Sequence, residues 1–343
     1  MHARSLVAAA ATLVLCCGQA AARDLSVMVR PPGQDAINQV FAQPFSAATG
    51  IAVQTTSWEG GIDALRTQAK AAGNTWDVVL VDGDELATGC GENLFEKLDW
   101  SAIGGKDHYL PQAVSDCGVG ATIASTVLAW DRDKFPAAPG WSDFWDVAKY
   151  PGKRGLRRGA RGNLEFALIA DGVAPGDVYK VLGTAEGVDR AFRKLDQLKP
   201  YIVWWDDDAE AAHILASGDV LMTSASAPVI TTINRTEHRN FGLQWAASLY
   251  EVLSWVVMKG SPDLHAATQF LYFAGTPAIE GRLVLVSGDG GLAKGASDWP
   301  NPDAAQSSPT APANLSAGVR IDIGFWHDNL AKLRQRFDGW LAH

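Results

Sequence analysis

An α/β fold built on a largely parallel sheet and divided between two lobes is what this sequence predicts. Three observations carry it. Strand-like and helix-like segments alternate through the first third of the chain. One of those strands, Asp77 to Val81, is a short continuous apolar run of the kind buried on both faces of a parallel sheet. A second alternating unit follows a change of texture after Trp130. About 320 residues remain once an N-terminal leader is set aside, too many for one simple core and comfortable for two lobes.

The leader comes first. Arg4 gives a short basic start, Leu6 to Cys17 is apolar, and Ala20-Ala21-Ala22 supplies the small residues of a cleavage site, so export with cleavage before Arg23 is expected. The apolar run is roughly half of the 20 residues a membrane anchor needs. Lipidation at Cys16 or Cys17 is disfavoured by Leu15 and Cys16, which stand where a small residue would be expected. Next, Leu25 to Val29 reads as a strand. Asp35 to Ala48 is a helix with Ile37, Val40, Phe41 and Phe45 at helical spacing, ending at Gly50. Ile51 to Thr56 is a strand, Ile62 to Ala72 a helix stopped by Gly73, and Asp77 to Val81 the third strand. Ligands of open sheets sit at the carboxyl ends of the strands. That points to Arg30, the turn Ser57-Trp58-Glu59-Gly60-Gly61, and Asp82-Gly83-Asp84.

Beyond Trp130, Phe135 to Gly140 is a Pro- and Ala-rich connection and Trp141 to Trp145 a short aromatic helix. Pro151 to Gly162 is basic and glycine-rich, with Lys153, Arg154, Arg157, Arg158 and Arg161; a solvated surface turn is the expectation, an anion site the alternative. Glu186 to Leu198 is an amphipathic helix, Ile202 to Trp205 a strand, Ala209 to Ser217 a helix and Val220 to Thr223 a strand. Trp255 to Met258 is a further strand, followed by helices from Pro262 to Ala274 and Pro277 to Val286. A long Pro-, Ser- and Ala-rich connection, Ser297 to Pro312, precedes a last helix, Phe325 to Trp340.

Composition narrows the function. The chain is 47% apolar and 20% charged, as in a soluble globular protein, and its net charge of −9 argues against nucleic acid. Two of the four cysteines leave with the leader. The remaining pair, Cys90 and Cys117, has acidic rather than basic neighbours, which favours a disulfide worth about 3 kcal/mol over a reactive thiol. There is no phosphate-binding Gly-x-x-x-x-Gly-Lys-Ser/Thr loop, no dinucleotide fingerprint and no nucleophile elbow. Seven histidines and six tyrosines are scattered without metal-ligand spacing, so no metal or cofactor is expected. Ser287-Gly288-Asp289-Gly290-Gly291 reads as a plain loop. Trp204-Trp205-Asp206-Asp207-Asp208 sets aromatic faces beside carboxylates at a strand end. Those residues suit a receptor for a small cation, and equally a buried strand with an acidic helix cap.

Several segments carry a family resemblance. They include Leu94-Phe95-Glu96-Lys97-Leu98-Asp99-Trp100, Cys117-Gly118-Val119-Gly120, Ser125-Thr126-Val127-Leu128-Ala129, Trp141-Ser142-Asp143-Phe144-Trp145-Asp146 and Pro151-Gly152-Lys153-Arg154-Gly155-Leu156-Arg157. Leu215-Ala216-Ser217-Gly218-Asp219-Val220 and Pro309-Thr310-Ala311-Pro312-Ala313-Asn314 continue the series. In these the chain resembles the periplasmic polyamine (spermidine/putrescine) binding proteins of ABC transporters, within extracellular solute-binding family 1. The resemblance implies a periplasmic, monomeric receptor of type II-like binding-protein fold that delivers a small ligand to an inner-membrane ABC permease and is not an enzyme. Its hinged lobes would enclose a ligand cleft, with 23–129 plus about 255–295 in the N-terminal lobe and 130–254 plus about 296–343 in the C-terminal lobe, after a leader at 1–22.

Carried over residue by residue, the resemblance implies ligand contacts from Trp58, Glu59, Asp82, Asp84, Ser125, Ser224, Ser226, Tyr250 and Glu251, with Arg30 at the mouth. The aspartates after Trp205 are not part of the family's usual pattern; one of them is expected to cap the following helix, and Asp207 is the candidate among them to face the cleft. Leu253 stands where an aspartate is the familiar amine anchor, and Ser224 to Pro228 where an aromatic is common. The ligand expected is a polyamine or related amine. The alternative within the fold is a zwitterion or other small organic solute, a zwitterion's carboxylate meeting Arg30. A secreted hydrolase using Asp82, Asp84 and Glu251 is the alternative of a different class.

Overall fold

Nine strands form one mixed sheet in the computed structural model, which describes residues 23–31, 33–71, 74–298 and 307–343. The expected leader, Ala72 and Gly73 at the end of the second predicted helix, and residues 299–306 of the Ser297–Pro312 connection lie outside those residues. The strands are β1 (Leu25–Val29), β2 (Val53–Ser57), β3 (Val78–Val81), β4 (Gly118–Asp131), β5 (Arg154–Arg157), β6 (Ile202–Trp205), β7 (Met222–Ser226), β8 (Phe241–Val257) and β9 (Val319–Arg320). Their spatial order is β2-β1-β3-β8-β4-β7-β5-β6, with β9 beside β8. The outer groups β2-β1-β3 and β5-β6 are parallel, as alternating strands and helices require.

The two central strands organise the rest. β4 has 14 residues and β8 has 17, and they run antiparallel to each other. The end of β8 pairs with β3, while Thr126 to Trp130 of β4 pairs with β7. Each therefore belongs to both halves of the sheet. The halves have separate cores. Phe41, Phe45 and Phe270 surround Trp255 in the first, the rings of Phe41 and Phe270 meeting the indole edge-on at 5.9 and 5.6 Å. In the second, Trp141 stacks on Phe166 at 3.6 Å beside Phe144, Trp326 and Phe337. Each buried aromatic side chain contributes roughly 1.5–3 kcal/mol.

Three expectations are corrected here. Gly118–Asp131 is a long strand that the sequence reading did not single out, and Trp255–Met258 is only the tail of β8. The basic segment Pro151–Gly162 is not simply a solvated turn, because it contains β5. Arg154 is wholly buried there, donating to the carbonyls of Phe144 (2.7 Å), Tyr150 (2.6 Å) and Gly152 (2.8 Å).

Trp204 and Trp205 are scaffold. Trp205 is buried, and Trp204 meets Phe337 edge-on at 5.6 Å on the last helix, Ile323–Ala342. Asp207 caps the helix Asp208–Ala216 by accepting from the Glu210 N–H (2.8 Å), which suits both the free N–H groups and the dipole. Cys90 and Cys117 form a disulfide, Cα atoms 6.0 Å apart, tying the end of the helix Gly83–Gly91 to the residue before β4. Among the described residues no helix is long and apolar enough to cross a membrane.

Candidate functional site

The carboxyl ends of β1 and β3 lie side by side and deliver Arg30 and Asp82. Asp82 opens the helix Gly83–Gly91 with a reciprocal cap: its carboxylate accepts from the Glu85 N–H (2.9 Å), and Glu85 accepts from the Asp82 N–H (3.1 Å). The Arg30 guanidinium bonds both acids, Asp82 at 2.8 Å and Glu85 at 2.5 Å. Glu85 also takes the Gly61 N–H (2.6 Å), which pins the turn after β2. That turn needs glycine at position 60: its φ is +83°, and a Cβ would stand 2.7 Å from the Arg30 guanidinium carbon. Burial pulls the Arg30 pKa down, but Glu85 and Asp82 more than reverse it. Arg30 is thus already paired through one terminal nitrogen, while its Nε is buried without a hydrogen-bond partner among the described residues.

A second arginine crosses between the halves of the sheet. Arg161 precedes the helix Asn163–Ala170, on a loop held by the buried Glu165, which accepts from the Gly162 N–H (2.8 Å), the Tyr179 hydroxyl (2.9 Å) and Trp326 Nε1 (2.8 Å). From there Arg161 reaches Asp84 at 3.2 Å and Glu251 at 3.3 Å. Both contacts are long for charge-assisted pairs, and the guanidinium keeps further N–H donors. Among the described residues Asp84 Oδ1 is buried without a hydrogen-bond partner. Burial raises the Glu251 pKa, with Asp82 and Asp84 adding to the shift and Arg161 and Arg30 opposing it, so these groups share one field. Four carboxylates (Asp82, Asp84, Glu85, Glu251) face two guanidinium groups. The acids outnumber the guanidinium groups, so the cluster carries net negative charge that a cationic group could offset, and Arg161 keeps donors that a carboxylate could use.

Glu251 lies opposite Ala124 across the β4–β8 pair, and Tyr250 opposite Ser125. Opposed residues share a face and successive ones alternate, so Ser125 and Tyr250 lie on the other side of the sheet from Glu251. Both are buried, Tyr250 within the first core, and Ser125 Oγ has no partner among the described residues. Trp58 is also buried, its ring edge-on to Trp76 at 5.6 Å, with Nε1 unpartnered. Glu59 is exposed beside it. Ser226 sits opposite Thr126, on the Glu251 side, and Ser224 shares that side but is buried. Asp207 is occupied as a helix cap. The structure thus gathers Arg30, Asp82, Asp84 and Glu251, sets the Trp58 ring 5.7 Å from the Arg30 guanidinium, and leaves the others outside the charged cluster. Arg161 and Glu85 are the additions. The Asp82-x-x-Glu85 spacing of a capping box was the available signal for Glu85; Arg161 was hidden in a basic run. Among the described residues no group of three or more His, Cys, Asp or Glu side chains could hold a metal ion.

Residues 41–313 match the family of bacterial extracellular solute-binding proteins. A γ-aminobutyric acid-binding protein of Pseudomonas aeruginosa is 40% identical over 305 residues, covering 89% of this chain and 86% of the relative. A solved GABA receptor superposes with a TM-score of 0.81 at 30% identity, over 93% of this chain and 98% of that one. An ABC transporter substrate-binding protein from Bradyrhizobium japonicum gives 0.81 at 29% identity, over 92% and 99%.

Proposed function

This chain belongs to the bacterial extracellular solute-binding protein family, and from that premise we propose that it is a periplasmic receptor for a small ω-amino acid of the γ-aminobutyrate type, serving an ABC importer. The fold is the two-lobed one expected of such receptors. Arg161 is the observation that carries the ligand reading. It comes from one half of the sheet, meets Asp84 from the other, and leaves Asp84 Oδ1 unsatisfied in the seam. A ligand carboxylate takes the remaining Arg161 donors, and its ammonium group meets a carboxylate in or beside the cluster. Each charge-assisted hydrogen bond contributes about 1.5–3 kcal/mol. The lobes close by flexing β4 and β8, the strands they share, which is a known repertoire of domain closure. The names of the Pseudomonas relative and the solved GABA receptor support the same ligand class.

A second reading keeps the polyamine expectation. The cluster has two more carboxylates than guanidinium groups, and a diamine would offset that excess where an amino acid would not. The hydrolase alternative loses its ground, because the family is one of binding proteins and Glu251 is held by Arg161. Thermal unfolding of ligand-stripped protein separates the readings, since a ligand bound only to the folded state raises the melting temperature. γ-Aminobutyrate and 5-aminovalerate should each raise it. A shift with putrescine alone would select the second reading, and no shift with either class would sink both.

A further inference from the structure

One carboxylate close to the charged cluster has no cation. Asp289 lies in the loop Ser287–Gly291, and its hydrogen-bond partner is the Ser287 hydroxyl (2.7 Å). Among the described residues no Lys or Arg pairs with it. The loop is held on both sides. The Gly290 carbonyl accepts from the Ile123 N–H (3.3 Å) and the Thr122 hydroxyl (3.1 Å), and Gly288 fits against Pro228 and Thr231, where a Cβ would stand 3.1 Å from each.

Register turns this into a site. Ile123 and Gly290 form an antiparallel bridge, so one step along places Asp289 beside Ala124. On its other side Ala124 faces Glu251. Asp289, Ala124 and Glu251 therefore lie in a row across three neighbouring segments, the outer two roughly 10 Å apart at two inter-strand spacings. All three are partly exposed, whereas Ile123, Ser125, Tyr250 and Val252 on the opposite face are buried. The row is thus a floor with an acid at one end, an arginine-bound acid at the other, and only a methyl group between.

We infer that Asp289 receives the ammonium group of the ligand whose carboxylate meets Arg161, and that Ala124 leaves room for the methylene chain joining them. This rests on the amino-acid reading above. Asp84 and Glu251 then orient Arg161 and are not the amine's principal partners. Burial, partly opposed by the Ser287 hydroxyl, raises the Asp289 pKa, as expected of a carboxylate awaiting its cation.

The test is calorimetric titration of wild-type protein, Asp289→Asn and Asp289→Glu with γ-aminobutyrate, β-alanine and putrescine, with unliganded melting temperatures as the folding control. Asparagine is nearly isosteric and should leave the fold intact. It should weaken γ-aminobutyrate at least about tenfold, the loss of one charge-assisted bond. Glutamate, which shortens the space by a methylene, should shift preference towards β-alanine. If wild-type protein binds γ-aminobutyrate or putrescine and Asp289→Asn binds it equally well, the assignment fails and the receptor reading stands. If wild-type protein binds none of the three, both fail.

Discussion

Replacing Glu280 with glutamine should make the protein more stable at alkaline pH while changing little near pH 5. Glu280 ends the short helix Pro277–Glu280, is essentially inaccessible to solvent, and accepts from the Ala293 N–H (2.6 Å). Gly291 passes so close that a Cβ there would stand 2.4 Å from that of Glu280. Burial raises its pKa from 4.5 to about 8, against the opposing pull of the Ala293 and Leu292 N–H groups. The folded protein therefore holds a proton that the unfolded chain gives up between those values. Stability from this group is complete below about pH 4.5 and is lost as pH rises towards 8. At 1.36 kcal/mol for each pKa unit, the full loss is on the order of 5 kcal/mol. Glutamine cannot ionise and should show none of it. Urea unfolding of both proteins at pH 5, 6.5 and 8 reads the difference. The advantage of Glu280→Gln over wild type should grow by about 2 kcal/mol or more across that range. An advantage that stays constant to within about 0.5 kcal/mol would show that Glu280 titrates normally and that the packing around residues 291–293 is wrongly described.

Two other outcomes are expected. Arg161→Gln should lose γ-aminobutyrate affinity by about 30-fold or more in a titration, since the ligand carboxylate loses its charge-assisted partner; undiminished binding would place that carboxylate elsewhere. Replacing Cys90 and Cys117 together with serine should lower unfolding free energy by about 3 kcal/mol, the closure entropy of a loop with a sequence separation of 27. An unchanged urea midpoint would contradict the bridge.

Much of the scaffold was legible because its signals are local. Ile37, Val40, Phe41 and Phe45 recur at helical spacing, and Gly50 ends that helix at φ +76°. β1, β3 and β6 are apolar runs bounded by turn residues. The two central strands escaped for the opposite reason. β4 lacks punctuation, its residues Gly118 to Asp131 continuing across both halves. In β8 the segment Gln244 to Ser248 carries no strand-like alternation, so only the Trp255 end stood out. The site was half legible. Strand ends pointed to Arg30, Asp82 and Asp84, because topology alone sends ligands there. Arg161 was not legible, since its partners Asp84 and Glu251 are 77 and 90 residues away and nothing in Arg157-Arg158-Gly159-Ala160-Arg161 marks which arginine turns inward. Arg158 pairs with the exposed Asp206 and Arg154 with backbone carbonyls, yet all three look alike as letters. Asp289 looked like part of a glycine-rich loop until register set it beside Ala124. The aromatic pair Trp204-Trp205 with its aspartates read equally as a cation site or as a strand with an acidic helix cap, and the structure has the strand and the cap.

A single calorimetric titration of γ-aminobutyrate into ligand-stripped protein, repeated with putrescine, bears on the whole account. A receptor built around Arg161 and its flanking acids should bind γ-aminobutyrate saturably at one site per chain, and more tightly than the diamine. Saturable binding of putrescine with no heat from γ-aminobutyrate would contradict it, because a ligand without a carboxylate has no use for an arginine held in the seam.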